Sequence, residues 1–154
     1  MDSISTVFSE RLIINCYMIN LSDQETNNFI QKKFASSLWG KEEVIGYFDK
    51  NFTDIEMKLN DYENVINLVN DRDVKDFSMD MTGNRFVIRQ WLDVSIYTLE
   101  GRINHYNNEI DIRFRFVAPK NAPMKELVKR INVNSLKKIY ITHIEENEEC
   151  WLHG

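Results

Sequence analysis

Asp54, Glu56 and Lys58 come nearer than other residues of this chain to the types and spacing of a catalytic site. Two carboxylates could hold a divalent metal ion such as Mg²⁺, and the lysine could steady an attacking water molecule. The same spacing also arises on a strand that alternates charged and apolar residues, because every second side chain then faces the solvent. The pattern therefore predicts a metal-dependent hydrolase or nuclease as an alternative function, not as the leading one.

Histidines and cysteines offer no second catalytic pattern. His105, His143 and His153 do not have a metal-binding spacing, and Cys16 and Cys150 form no close pair. No serine lies in a Gly-x-Ser-x-Gly elbow, and the glycines do not cluster into a phosphate-binding loop. We therefore expect no metal and no cofactor, and two idle thiols in a reducing compartment. A role other than catalysis is favoured.

Arginine and tryptophan side chains point to binding instead. Arg89 and Trp91 share one face of a predicted strand, and Arg113 and Arg115 share one face of another, together with Asp111. If these strands pair, guanidinium groups and an indole ring lie on one surface, which is typical of contact hot spots between proteins. The alternative is that cross-strand Asp–Arg pairs complete an ordinary sheet face and that a helix covers Trp91.

Four acidic residues near the end of the chain form the second candidate for partner binding. They are Glu145, Glu146, Glu148 and Glu149. A carboxylate-rich surface could mimic phosphates and enter the basic groove of a nuclease or another nucleic-acid enzyme, with long-range attraction raising the encounter rate. The alternative is an acidic tail that serves only solvation.

Composition and charge limit the class of protein. The 154 residues suit a single domain, predicted here as 1–154, and the net charge of −5 argues against a general nucleic-acid binder. No apolar stretch reaches the roughly 20 residues of a membrane span, and residues 1–10 do not resemble a signal peptide. We therefore expect a cytoplasmic protein. Asn, Ile, Lys, Phe and Tyr, which have A- and T-rich codons, are plentiful and indicate a low-GC origin.

The first part of the chain predicts a strand followed by a long helix. Residues 11–21 are rich in β-branched and aromatic side chains, so we expect a buried strand there. Ser22 and Glu25 form a capping box, from which a helix is predicted to run to a stop at Gly40. Its apolar stripe consists of Ile30, Phe34 and Leu38.

Three further elements are predicted before residue 70. Residues 41–50 predict a second helix, with glutamates in the first turn and a lysine in the last. Residues 53–59 alternate in hydrophobicity and predict a short strand, although helical spacing also fits them. Residues 61–69 predict a third helix, because their apolar positions match the i, i+3, i+4, i+7 pattern. These positions are Tyr62, Val65, Ile66 and Val69.

The second half of the chain predicts mostly antiparallel strands. We expect strands at residues 75–81, 85–97, 102–106 and 109–117. The turns between them are predicted at residues 82–84, 100–101 and 107–108. An amphipathic helix is expected at 124–131 and a last strand at 137–144, followed by an acidic tail. The sequence shows no internal repeat.

These patterns together predict an α+β fold. Helices mainly from the N-terminal half would pack on a largely antiparallel sheet from the C-terminal half. The leading functional hypothesis is a non-catalytic cytoplasmic binding protein, an inhibitor or immunity-type or anti-defence partner that occludes a toxin or defence enzyme. A self-assembling structural or ligand-binding subunit is a further alternative. Neither the partner nor the oligomeric state follows from the sequence.

Overall fold

The computed structural model of the protein describes residues 4–23, 27, 29–51, 55–70, 72–73 and 91–153. Its strands are β1 (Ile13–Asp23), β2 (Phe29–Ser36), β3 (Ile55–Asn67), β4 (Leu92–His105), β5 (Asn108–Ala118) and β6 (Ile139–His153). Its helices are the short α1 (Ile4–Val7), then α2 (Lys41–Asn51) and α3 (Met124–Asn134), with a 3₁₀ turn at Glu10–Leu12.

The elements follow one order twice along the chain. β1, β2, α2 and β3 are followed by β4, β5, α3 and β6. In each group the first strand lies in the middle and pairs antiparallel with the other two strands. The described residues therefore form two three-stranded sheets with the same ββαβ connectivity, although the sequence shows no internal repeat.

Two short parallel seams join the two sheets into a closed barrel. Residues 33–36 of β2 pair with residues 150–153 of β6, and the end of β3 pairs with Phe116 and Val117 of β5. The strand order is β1-β2-β6-β4-β5-β3, with β3 pairing back to β1. Because the seams are short, both sheets continue well beyond the closed part.

Small and medium-sized apolar side chains fill the inside of the closed part. All six strands contribute to this buried cluster, which consists of Ile14, Cys16, Ala35, Val65, Val94, Ile96, Val117, Cys150 and Leu152. A barrel of six strands is narrow, so side chains of this size are large enough to fill it. Burial raises the pKa of the Cys150 thiol well above its usual value, and the adjacent Cys16 thiol acts in the same direction. The Cys150 thiol is therefore protonated and unreactive.

Each of the two longer helices covers the outer face of one sheet. Val44 and Phe48 of α2 pack on the outward side chains of β1 and β2. Leu127 and Ile131 of α3 pack on those of β4 and β5. Among the residues that the structure describes, no helix has the length and hydropathy required to cross a membrane.

The predicted fold class is wrong. Strands come from both halves of the chain, and each half contributes one of the two longer helices. The helix predicted from Ser22 to Gly40 is wrong because this segment contains the end of β1 and the whole of β2. Positions 30, 34 and 38 are four residues apart, and an even separation also puts side chains on one face of a strand.

The third predicted helix is also wrong, for a different reason. Residues 61–67 belong to β3, in which Val65 faces the inside of the barrel and Ile66 faces the outer cluster under α3. A strand with one covered face buries only every second residue, so two consecutive apolar residues such as these indicate a helix instead. Here both faces are covered, because the closed sheet has an inside and a helix-packed outside.

Two further boundaries need correction in the second half. The turn predicted at residues 100–101 is wrong, since β4 continues to His105 with a bulge of β6 opposite Gly101. The predicted acidic tail is wrong as well, because β6 continues to His153. The helix at 41–50, the helix beginning at Met124, and the strands at 11–21 and 109–117 are confirmed within one or two residues at most boundaries. The predicted strand at 75–81 and turn at 82–84 lie outside the described residues.

Gly101 is required by the close approach of β4 to β6. A Cβ at this position would lie 2.6 Å from the Tyr140 carbonyl oxygen and 3.3 Å from the Ile141 Cα, both of which are backbone atoms. We expect Gly101→Ala to lower the free energy of unfolding by about 2 kcal/mol, because the strands must move apart to admit the methyl group. Urea denaturation measures this loss.

Gly46 provides the matched control for this substitution. It lies in α2, and a Cβ there would have no atom within 4 Å apart from its chain neighbours and the backbone of its own helix. Gly46→Ala should therefore raise the free energy of unfolding by roughly 0.5 to 1 kcal/mol, since alanine restricts the unfolded chain and favours the helix. Equal effects of the two substitutions would contradict the assigned packing around Gly101.

Candidate functional site

One face of β4, β5 and β6 carries polar side chains in three rows across the strands. The opposite face of these strands packs against α3, so alternation directs the polar residues to the side that faces the inside of the barrel, beyond its closed part. In the order β5, β4, β6, the rows are Arg115–Thr98–Glu145, Arg113–Glu100–His143 and Asp111–Arg102–Tyr140. We call these nine residues the charged sheet face.

Opposite charges face each other across the strands of the charged sheet face. The Arg102 Nε lies 3.2 Å from the Asp111 Oδ1, and the Arg113 Nε lies 3.8 Å from the Glu100 Oε1. These pairs are open to solvent, since 90% of the Asp111 side chain and 69% of the Arg113 side chain are exposed. Exposed pairs of this kind contribute little to stability, so their charges are available to another molecule.

Arg115, in contrast, is bound within the protein. Its Nη1 donates to the Glu63 Oε1 at 2.5 Å, and its Nη2 donates to the Glu148 Oε1 at 2.5 Å. Burial alone would lower the pKa of the Arg115 guanidinium, but the hydrogen bonds and charges of Glu148 and Glu63 outweigh burial and raise the pKa. Arg115 is therefore a structural cation rather than a free partner contact.

The position of Arg115 explains why two carboxylates surround it. Val117, two residues further along β5, points into the barrel, so alternation turns Arg115 toward the same inner side just beyond the closed part. Glu63 comes from the first sheet and Glu148 from the second. Lys33 of β2 lies 3.8 Å from Glu63. One guanidinium thus links the two sheets where the apolar interior ends.

Trp91 lies in the core and not on the charged sheet face. Only 3% of it is exposed, and its ring lies 4.5 Å from Phe34 and 5.6 Å from Trp151, measured between ring centroids. Phe48 of α2 packs against it as well. This is the arrangement that the sequence offered as the alternative, in which a helix covers the tryptophan. Arg89 lies outside the described residues.

Two of the four predicted acidic contacts are engaged with basic side chains. Glu148 binds Arg115. Glu149 accepts from Lys32 at 2.9 Å and from Lys120 at 2.8 Å. The hydrogen bonds from Lys120 and Lys32 lower the pKa of Glu149 to about 2. These carboxylates are largely neutralised within the protein, which reduces the long-range field that the sequence suggested.

The other two acidic residues make weaker contacts. Glu145 belongs to the charged sheet face, and its Oε2 lies 3.7 Å from the His143 Nε2. Glu146 accepts a hydrogen bond from the Asn121 amide at 3.1 Å. Both side chains are exposed. Of the predicted site residues, Arg113 and Glu145 are therefore placed together on one accessible surface.

The residues of the alternative catalytic pattern lie on the other sheet. Glu56 and Lys58 share an exposed face of β3, and Asp54 lies outside the described residues. Within the described ranges, no group of three or more His, Cys, Asp or Glu residues is placed to hold a metal ion. The metal-dependent hydrolase stays a prediction.

Sequence reasoning missed five members of the charged sheet face. They are Thr98, Glu100, Arg102, His143 and Tyr140. The predicted turn at residues 100–101 interrupted the alternation of β4, and it therefore hid the pairing of Glu100 with Arg113. Extending the alternation from Thr98 to Arg102 would have placed both charges on the face of Thr98.

The geometry of the charged sheet face suits binding better than bond-making. Its side chains project from a sheet in parallel rows, so they do not converge on one point as catalytic groups do. Neighbouring rows present arginine and carboxylate groups at the spacing of the strands. A second protein with the opposite order of charges can form ion pairs with several rows at once.

Arg115 and Arg113 differ in burial and in their contacts, so they should respond differently to the loss of charge. Arg115→Met leaves Glu63 and Glu148 close together without their cation. We expect the free energy of unfolding to fall by about 2 kcal/mol, less than for a fully buried pair because Arg115 is partly exposed. Arg113→Met should change it by less than about 0.5 kcal/mol. Urea denaturation of both variants tests this difference, and similar losses would contradict the assigned roles.

Comparison with known proteins identifies no relative. No protein-family model, no curated protein and no solved structure matches this chain. The geometry of the chain itself is therefore the basis for assigning its function.

Proposed function

We propose that this protein is a non-catalytic cytoplasmic binding protein that occludes another macromolecule. The charged sheet face is the contact surface, and the partner is a protein such as a toxin or a defence enzyme, which the bound chain inhibits. The observation that carries this proposal is the contrast between Arg113 and Arg115 on one strand. Arg115 is bound to two carboxylates, whereas Arg113 is exposed and lies 3.8 Å from Glu100, its one counter-charge among the described residues.

An exposed and loosely held ion pair can exchange its partners at low cost. The Arg113–Glu100 separation is longer than a hydrogen bond, so little interaction energy is lost when each group turns to a partner. The strands hold the backbone fixed, so binding orders only the side chains. Arginine also forms bidentate contacts with carboxylates, which supports Arg113 as an anchor.

The overall charge supports a partner with basic groups. The chain carries a net charge of −5, and Glu100, Asp111 and Glu145 add exposed carboxylates to the charged sheet face. Attraction between unlike net charges raises the rate of encounter, and this effect weakens as salt is added. Exposed Tyr140, at the corner of the face, adds an aromatic side chain of the type common in protein interfaces.

Reversing one row of the charged sheet face tests this proposal. The variant Glu100→Arg with Arg113→Glu keeps the cross-strand ion pair and the net charge, but it exchanges their positions. We expect wild-type protein, used as bait in extracts of its native host, to retain one stoichiometric protein that the variant loses. The retained protein should also lose its own activity when purified wild-type chain is added.

A charge exchange on α2 provides the matched control. Glu42→Lys with Lys50→Glu also keeps the net charge and changes two exposed residues on another surface. It should retain the partner as well as wild type does. If no retained protein depends on the Glu100–Arg113 row, or if the retained protein keeps its full activity, the proposal is wrong.

A further inference from the structure

Within the described part of the chain, the edge of β6 opposite β4 is unpaired along most of its length. β6 pairs with β4 from Ile139 to Leu152, but with β2 only over residues 150–153. No other strand in the described part of the chain pairs with residues 139–149. The outward amide and carbonyl groups of such an edge are a template on which another strand can add.

A groove beside this edge has room for an added strand. Its volume is about 610 Å³, and it lies between α3 and the beginning of β6. Met124, Val128 and Asn132 of α3 line one side, and residues 139–144 line the other. Half of Met124 and half of Tyr140 are exposed there. Apolar surface next to unpaired backbone is suited to a strand with apolar side chains.

The groove is preformed, because contacts in the loop before α3 and within α3 hold the helix in place. The Tyr97 hydroxyl donates to the Pro119 carbonyl at 2.6 Å and accepts from the Ala122 amide at 3.3 Å. These bonds hold the loop before the helix. Later in α3, the Arg130 Nη2 donates to the Asp73 Oδ1 at 2.8 Å. An added strand therefore does not have to move α3 to find space.

The sequence along this edge is complementary to itself. Lys137 and Lys138 precede the segment Ile-Tyr-Ile-Thr-His-Ile at residues 139–144, and Glu145 and Glu146 follow it. When two such strands run antiparallel, the basic end of each meets the acidic end of the other. Opposite charges placed directly across two strands stabilise their pairing, and like charges oppose it.

We propose that a second copy of this chain occupies the edge, with the two β6 strands antiparallel about a two-fold axis between Ile141 and Thr142. This register sets Lys138 opposite Glu145 of the second copy and Lys137 opposite Glu146 of the second copy. Two-fold symmetry makes each contact twice. The charge order along residues 137–146 selects a second copy over an unrelated strand.

The proposed register also keeps the pairs that flank its centre on a common face. Ile139 and Ile144 both lie on the side of α3, where they pack in the same buried cluster. Tyr140 and His143 both belong to the charged sheet face. A bulge at Thr142 produces this match, since β6 has one extra residue there relative to β4. Without the bulge, simple alternation would put Ile139 and Ile144 on opposite faces.

Such a dimer would extend the charged sheet face across two copies. β4, β5 and β6 of each copy would form one continuous sheet of six strands, because edge pairing joins sheets without altering their faces. The inference is independent of the proposed partner binding. Self-association is measured on purified protein alone, whereas retention of a partner protein from the host extract is tested at the Glu100–Arg113 row. Each can therefore fail without the other.

Charge reversal at one cross-strand pair tests the proposed register. In sedimentation equilibrium between about 1 μM and 1 mM, a range suited to a small interface, wild-type protein should form dimers. Lys138→Glu alone and Glu145→Lys alone should each weaken association at least tenfold, because like charges then face each other twice. Mixing these two variants should restore dimers, since every Lys–Glu pair is re-formed in the heterodimer.

Reversals on α2 control for the change in net charge. Lys50→Glu and Glu42→Lys alter the charge by the same amounts at exposed positions outside the groove. They should associate as wild type does, and their mixture should show no rescue. A monomeric wild type over the whole range, or association that the reversals at positions 138 and 145 leave unchanged, would overturn the proposal.

A disulfide between copies gives a second, geometric test. Tyr140 lies opposite His143 of the second copy, and directly opposed residues have Cα atoms roughly 4.5 to 5.5 Å apart, within the range of a disulfide. Tyr140→Cys mixed with His143→Cys should give a cross-linked dimer on mild oxidation, and either variant alone should not. The natural Cys16 and Cys150 are buried and do not compete. Absence of the mixed product would contradict this register.

Discussion

The two parallel seams between the sheets are the constraint on which the rest of the structure depends. At a seam, each strand directs a small or medium-sized side chain inward and can direct a large one outward. Ala35 lies beside Phe34 in β2, and Cys150 lies beside Trp151 in β6, where one member of each pair fills the barrel and the other packs outside. The narrow interior therefore determines where aromatic residues can go, and it places Trp91 with them in the outer cluster under α2.

The inside changes from apolar to ionic at the point where the seams end. Beyond Val117 the inner side of β5 carries Arg115, which reaches Glu63 on the first sheet and Glu148 on the second. A charge at this position is partly removed from water, so it must be paired. Further from the seams this side of β5 is exposed to solvent, and Arg113 has no comparable requirement. The distance from the seam thus separates a structural arginine from an accessible one, although both occupy the same face of one strand.

The sequence predicts single elements better than their arrangement. α2, α3, β1 and β5 have one covered face each over most of their length, so one period describes them. β2 and the part of β3 from residue 61 onward are predicted as helices because their apolar positions also fit a helical pattern, and because Val65 and Ile66 are both buried, although on opposite faces. Burial of both faces depends on barrel closure, which is a long-range property. The candidate site was predictable to the same degree: Arg113 and Asp111 follow from alternation, but their partners on β4 and β6 depend on register.

The shared connectivity of the two sheets allows their polar faces to be compared row by row. In the first sheet, the side opposite α2 carries a row of Gln31, Asn20 and Lys58, in which the Gln31 amide donates to the Asn20 side chain at 2.9 Å. In the second sheet, the corresponding side sets Arg113 opposite Glu100 and Arg102 opposite Asp111. Both sheets place polar side chains where the barrel opens to solvent, because unpaired apolar groups there would face water. The second sheet does so with opposite charges in adjacent rows, and the proposed recognition of another molecule gives these rows a role.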